Sequence, residues 1–174
     1  MKTFLLFCLP IFFACNFSSE KNKTEDALQD ATSTYYLIRH AEKDRTNPSN
    51  SDPSLTEEGK QRADRWATYF KDKELDAVYA TNYNRTQETA KPTAAMIGVA
   101  VSSYDPRTLY NETFRKATDG KNVLIVGHSN TTPQFVNAIL GNSKYQDMSD
   151  TENGLVYIVR VHKNNSTATI ETVD

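Results

Sequence analysis

Of the 174 residues only two are cysteine, Cys8 and Cys15, and both stand in the first fifteen positions. From Asn16 onward there is no thiol, which excludes a disulfide framework and a thiolate-held metal in that part of the chain. Histidine is scarce as well. His40, His128 and His162 are all there are, and no two of them stand at metal-ligand spacing. An excess of charge of one sign is also missing. Twenty Lys and Arg against 22 Asp and Glu leave a net charge of -2, so the electrostatic footprint of a nucleic-acid binder is not there. No internal repeat divides the chain. Its length suits one domain of ordinary size, and 38% apolar residues are enough for a core.

A long hydrophobic run is lacking too. The apolar stretch Thr3 to Phe13 falls short of the roughly 20 residues that span a bilayer. With Lys2 ahead of it and Ala14 behind, it fits a secretory signal. The ending Phe12, Phe13, Ala14, Cys15 resembles a bacterial lipoprotein signal, in which cleavage leaves the cysteine as a lipidated N-terminus. Phenylalanine stands where smaller or aliphatic residues are usual, and an ordinary cleaved signal is the alternative. Residues 1–15 are therefore expected to be a signal peptide, 16–33 a polar tether without apolar periodicity, and 34–174 the folded domain. Such a protein is exported to the cell envelope or periplasm and held at the membrane by lipid on Cys15.

What is present begins at Thr34. Tyr35 to Ile38 form a strand that runs straight into Arg39 and His40. On a regular strand those two would point to opposite faces, so the chain must turn there if both serve one site. Asp44 to Ser54, rich in Asn, Ser and Pro, is a loop. Thr56 is a good N-cap with Glu57 and Glu58 in the first turn, and Ala63, Trp66, Ala67 and Phe70 give that helix its apolar stripe to about Lys71. Asp76 to Ala80 is a second strand, and Arg85 opens the next helix, to Met96. Val99 to Tyr104 is a third strand. Asp105 followed by Pro106 has the signature of an N-cap and first helical position, which predicts a helix to about Thr118. Asn122 to Val126 is the most apolar strand and ends in Gly127 and His128. A helix to Leu140 follows, stopped by Gly141. Gly154 to Val161 and Thr167 to Val173 read as a final pair of strands around a turn at Asn164 and Asn165.

Strands alternating with helices predict βαβ units, a mostly parallel sheet and a three-layer α/β/α sandwich; the closing pair need not be parallel. In such a sheet the strand ends share one edge, where ligands bind. Arg39 and His40, Arg85, Asp105 and His128 all arrive there, with helix N-termini adding partial positive charge. Guanidinium forks match phosphate oxygens two at a time, and a histidine beside them is a proton carrier or a nucleophile. Singly, each has a duller reading: a solvated Arg-His loop, or an Asp that only caps a helix. His162 lies in the late strand pair, away from the tips, and reads as structural.

These residues resemble a known family. Arg39, His40, Ala41 and Glu42 look like the Arg-His-Gly/Ala-Glu motif of the histidine phosphatase superfamily, in its phosphoglycerate-mutase-like branch. Leu55, Thr56 and Gly59 are similar to that branch's helix entry. Thr81, Arg85, Thr89 and Ala90 match its next segment, with Thr86 where alanine is usual. Val126 to Asn130 resemble its second histidine motif. The resemblance covers Thr34 to about Leu140 and implies a phosphatase that needs no metal or organic cofactor. It makes His40 the nucleophile that becomes phosphohistidine, and Arg39, Arg85 and His128 the groups that hold the phosphoryl oxygens. The branch's Leu-x-Glu element is missing after the third strand, which counts against a mutase; Asp105, or Glu112 further on, would be the proton donor. The opening Arg-His-Ala-Glu-Lys43 is shared with phosphohistidine phosphatases, so the substrate is a small phosphomonoester or a phosphoprotein.

Two rivals come from other classes. A catalytically inactive phosphate-binding module would keep both arginines without needing a nucleophile. A serine esterase would use Ser129, Asp150 and His162 in hydrolase order, but Thr131 stands where its elbow needs glycine.

Overall fold

The computed structural model of the protein describes residues 31–173. The expected signal peptide, Cys15 and most of the tether lie outside the described residues. In chain order the elements are β1 (Thr32–Arg39), α1 (Glu57–Phe70), β2 (Ala77–Ala80), α2 (Asn84–Ile97) and β3 (Val101–Ser103), then α3 (Glu112–Thr118), β4 (Asn122–Gly127), α4 (Thr131–Leu140), β5 (Leu155–His162) and β6 (Asn165–Thr172). The six strands form one sheet in the order β3-β2-β4-β1-β5-β6. β3, β2, β4 and β1 are parallel, and β5 and β6 close the sheet antiparallel. This is the expected three-layer α/β sandwich.

β1 lies inside the sheet, and its period-two alternation feeds both layers. Tyr36 and Ile38 pack with Trp66 and Phe70 of α1 and Ala90 and Ala94 of α2. Tyr35 and Leu37 face the other way, against Phe135, Val136 and Ile139 of α4. Each such fully buried side chain contributes about 1.5–3 kcal/mol, so β1 cannot shift register without exposing one layer or the other. It starts at Thr32, two residues inside the expected tether: Thr32 pairs with His162, and Ser33 is buried with its hydroxyl accepting the Gly120 N–H at 2.8 Å.

α1 begins as expected. The Thr56 hydroxyl accepts the Gly59 N–H at 3.1 Å and donates to the Glu42 carbonyl at 3.2 Å, which fastens the helix start to the chain leaving β1. The helix expected from Asp105 does not form there. The Asp105 carboxylate accepts the Arg107 N–H at 2.9 Å, which closes a two-residue Asx turn. Tyr110 then sits at a left-handed φ of 45°, which a helix does not tolerate, with its ring edge-on to Tyr35. The helix starts later, at Glu112, capped by Asn111 accepting the Phe114 N–H at 2.9 Å. The β5–β6 turn is Lys163 and Asn164, since His162 pairs with Asn165.

Candidate active site

Register brings the first two parts together. Arg39 is the last residue of β1 and pairs with Gly127 at the end of β4, and the His40 N–H donates to the Gly127 carbonyl at 2.9 Å. His128, the next residue after Gly127, therefore lies beside His40, with ring centroids 5.5 Å apart. Beyond β4, the end of β2 supplies Thr81, whose hydroxyl lies 2.9 Å from His128 Nε2, and α2 starts with Arg85 in its first turn.

His40 is almost fully buried, and its Nδ1 lies 2.7 Å from the Ala41 carbonyl oxygen. A carbonyl only accepts, so Nδ1 carries the hydrogen and the neutral ring keeps its lone pair on Nε2. Burial above all, with Arg39, His128 and Arg85 adding positive charge, pushes the His40 pKa down to about 3 against the pull of the Ala41 carbonyl. His128 is lowered to about 4, by burial first and then by Arg85, Lys43 and Arg39. Its orientation follows from a short hydroxyl chain. Thr86 lies 2.8 Å from the carbonyls of Thr81 and Tyr83, to which it can only donate. Thr81 then donates to Thr86 at 3.0 Å, which leaves its oxygen to accept Nε2–H from His128. Both imidazoles are thus neutral at physiological pH, and each is held by one nitrogen.

The guanidinium of Arg39 is 2% exposed. One of its amino groups donates to the Ser149 carbonyl at 2.8 Å and reaches that of Glu152 at 3.4 Å; the other meets Asp150 Oδ1 at 3.1 Å. Arg85 pairs with Asp52 at 3.4 Å and lies over the Tyr83 ring, 4.5 Å from its centre. In both arginines Nε is buried without a hydrogen-bond partner among the described residues. Both residues also line a cleft of about 330 Å³ together with His40 and His128, and two guanidinium groups at one cleft make a site suited to an anion. The cavity is the meeting of tips that the sheet topology predicts.

The proton donors expected from the sequence are not in it. Asp105 lines a separate groove beside Tyr104 and Phe114. It is clamped by Arg107 at 2.7 Å, and hydrogen bonds from Arg107 hold its pKa down at about 2. Glu112 lies in a groove of about 380 Å³ shared with Ser33, near the start of β1, and pairs with Lys116 at 2.6 Å. The esterase triad does not assemble either: Ser129 lines the cleft, whereas His162 Nδ1 is 3.2 Å from Thr32 at the far end of β1. The sequence assigns no role in this site to four residues of its frame: Thr81 and Lys43 stand within the quoted motifs, and Asp150 and Asn153 lie outside them. Asp150 reaches Arg39, Asn153 donates to the His40 carbonyl at 2.8 Å, Thr81 orients His128, and Lys43 lines the cleft. Among the described residues no group of three or more His, Cys, Asp and Glu is placed to hold a metal.

Residues 35–107 match the family model of the histidine phosphatase superfamily, branch 1. That segment carries Arg39, His40 and Arg85; His128 lies beyond it and joins them only through the β1–β4 register. No curated protein matches the sequence. Solved structures share the fold. A mycobacterial glucosyl-3-phosphoglycerate phosphatase is 12% identical with a TM-score of 0.60, the match covering 82% of this chain and 98% of that one. The protein histidine phosphatase SixA complexed with tungstate is 15% identical with a TM-score of 0.61, over 80% and 96%. A phosphoglycerate mutase from Bacillus anthracis is 15% identical, again with a TM-score of 0.61, over 83% and 94%. The segment that matches this family model thus sits in a phosphoglycerate-mutase-like fold.

The depressed imidazoles have a consequence for stability. An unfolded histidine titrates near 6.5 and folded His40 near 3, so between those values the unfolded chain binds the extra proton. Stability is complete above about pH 6.5 and is lost as pH falls toward 3. Between pH 7 and about pH 4.5 the wild type should lose about 2 kcal/mol more than a His40→Asn variant, read by urea denaturation at both pH values. Equal losses would mean that His40 is not buried neutral.

Proposed function

We propose that this protein is a phosphatase that hydrolyses a phosphomonoester, or a phosphohistidine, through a covalent phosphoryl group on His40. The observation that carries the reading is the cleft that Arg39 and Arg85 share with a neutral His40, whose Nδ1 is held by the Ala41 carbonyl so that the Nε2 lone pair is free to attack. In the first step Nε2 forms a bond to phosphorus as the bond to the leaving group breaks. Arg39 and Arg85 hold the equatorial oxygens while charge builds on them. Burial depresses His128 first and the charges of Arg85, Lys43 and Arg39 add to it; the arriving anion offsets those charges, which favours the imidazolium and lets it donate to an oxygen. In the second step water attacks phosphorus, the P–N bond breaks, and His40 returns to the neutral ring held by the Ala41 carbonyl.

The export signal read from residues 1–15 would put this activity outside the cytoplasm, with lipid on Cys15 as the anchor and small phosphoesters or phosphoproteins of that compartment as substrates. Two displacements at phosphorus give net retention of configuration. An aryl phosphate made chiral with oxygen isotopes should therefore be hydrolysed with retention, and alkaline quenching during turnover should leave an acid-labile, base-stable phosphoryl group on His40. Inversion would mean direct attack by water. Ligand binding with no phosphate release at all would favour an inactive binding module.

A further inference from the structure

With Asp105 and Glu112 outside the cleft, nothing in the reading so far hands a proton to the departing oxygen. With His128 given to an equatorial oxygen, the cleft contains a further group suited to it. Lys43 lines the main cleft with His40, Arg85 and His128 and also an adjoining cavity of about 280 Å³, so it stands where the two meet. Its backbone is pinned: Lys43 bridges Leu55, flanked by Asp44 N–H to the Ser54 carbonyl and Thr56 N–H to the Glu42 carbonyl, both 2.9 Å. The direction in which its Cα–Cβ bond leaves the backbone is therefore set by the fold.

Unlike the cations around it, Lys43 is uncommitted. Arg39 and Arg45 share Asp150, Arg85 has Asp52, and the neighbouring Glu42 is taken by Arg62 at 2.7 Å. The Lys43 ammonium makes no hydrogen bond or ion pair among the described residues. It is near enough to His128 to rank second, after Arg85, among the charges that depress that ring. Burial above all lowers the Lys43 pKa; of the charged groups that act on it, Arg85, Arg45 and Arg39 also disfavour its proton and Asp150 favours it. Asp150, the carboxylate on the cleft wall, is bound between two guanidinium groups and is poorly placed to carry a proton out.

We propose that Lys43 is the general acid and base of this site, an ammonium standing where related chemistry would use a carboxylic acid. The inference rests on the phosphohistidine reading above. As the bond between phosphorus and the leaving oxygen breaks, one proton passes from Nζ to that oxygen and Nζ becomes an amine. When water then attacks phosphohistidine, the amine takes a proton from that water as the P–N bond breaks. The net change is one water consumed, alcohol and phosphate released, and Lys43 again an ammonium.

The test is leaving-group dependence, because a proton donor matters most to poor leaving groups. Phenyl phosphate needs one; 2,4-dinitrophenyl phosphate does not. Lys43→Met should lose about 100-fold or more in kcat/KM on phenyl phosphate while staying within about threefold of wild type on the dinitrophenyl ester. Lys43→Arg keeps the charge without a transferable proton and should behave like Lys43→Met. A purely electrostatic or structural role predicts equal losses on both esters, or rescue by arginine, and either result overturns the proposal. So does a wild type whose rate already rises steeply with leaving-group acidity, as a cleft without any acid would show. If the wild type hydrolyses neither ester, it is the phosphatase reading that fails, not the assignment within it.

Discussion

Replacing His40 by alanine should lower kcat for an aryl phosphate by about 10⁴-fold or more, because in the proposed two-step displacement the nucleophile has no substitute in the cleft. His128 cannot take over. Its Nε2 is held by Thr81 at 2.9 Å, and its ring meets that of His40 at 66°, not in the same orientation. The loss should fall on kcat. Arg39 is anchored by the Ser149 and Glu152 carbonyls and by Asp150, none of which involves the His40 ring, and Arg85 by Asp52. Phosphate should therefore still bind the variant, as a competition or calorimetric titration would show. Activity within tenfold of wild type would remove His40 from the chemistry, whatever its surroundings.

Gly59→Ala should be the most damaging small change to the frame. A methyl group added there would collide with the backbone carbonyl of Glu42. That oxygen already accepts the Thr56 N–H at 2.9 Å and the Thr56 hydroxyl at 3.2 Å. No flexible side chain is available to move aside; the start of α1 and the chain between His40 and Lys43 must separate. Overpacking of this kind costs about 3 kcal/mol, against which the gain from restricting the unfolded chain is less than about 1 kcal/mol. The expected fall in Tm is roughly 5–10 °C for a chain of this size, and activity should fall with it, because the displaced segment holds both His40 and Lys43. An unchanged Tm would show that the two segments are not packed as described.

The motif glycine thus has a physical reason that spacing alone does not show, and Asp105 is the opposite case. Asp followed by Pro is equally the start of a helix and the start of an Asx turn; the local signature is the same. The outcome was decided by Tyr110, whose ring packs edge-on against Tyr35 from the sheet at 5.7 Å and near Phe135 from α4. That contact pins the chain in a left-handed turn before α3 can begin. A donor expected at the third strand tip is carried out of the cleft by a contact between residues 75 positions apart in the chain.

From its order of residues alone, this chain determines a parallel α/β sheet and which strand ends bear Arg39, His40, Arg85 and His128. Hydrophobic alternation and strand–helix succession are local properties, and the rule that parallel strand tips share an edge converts them into a site. Only the tertiary structure decided how that site is furnished. Asn153 reaches the His40 carbonyl across 113 positions and Asp150 reaches Arg39 across 111, while the Lys43 ammonium is marked by making no hydrogen bond or ion pair among the described residues. Such relations exist only when distant segments have packed, because whether a charge is paired, buried or aimed at a cavity depends on everything folded around it, not on its neighbours in the chain.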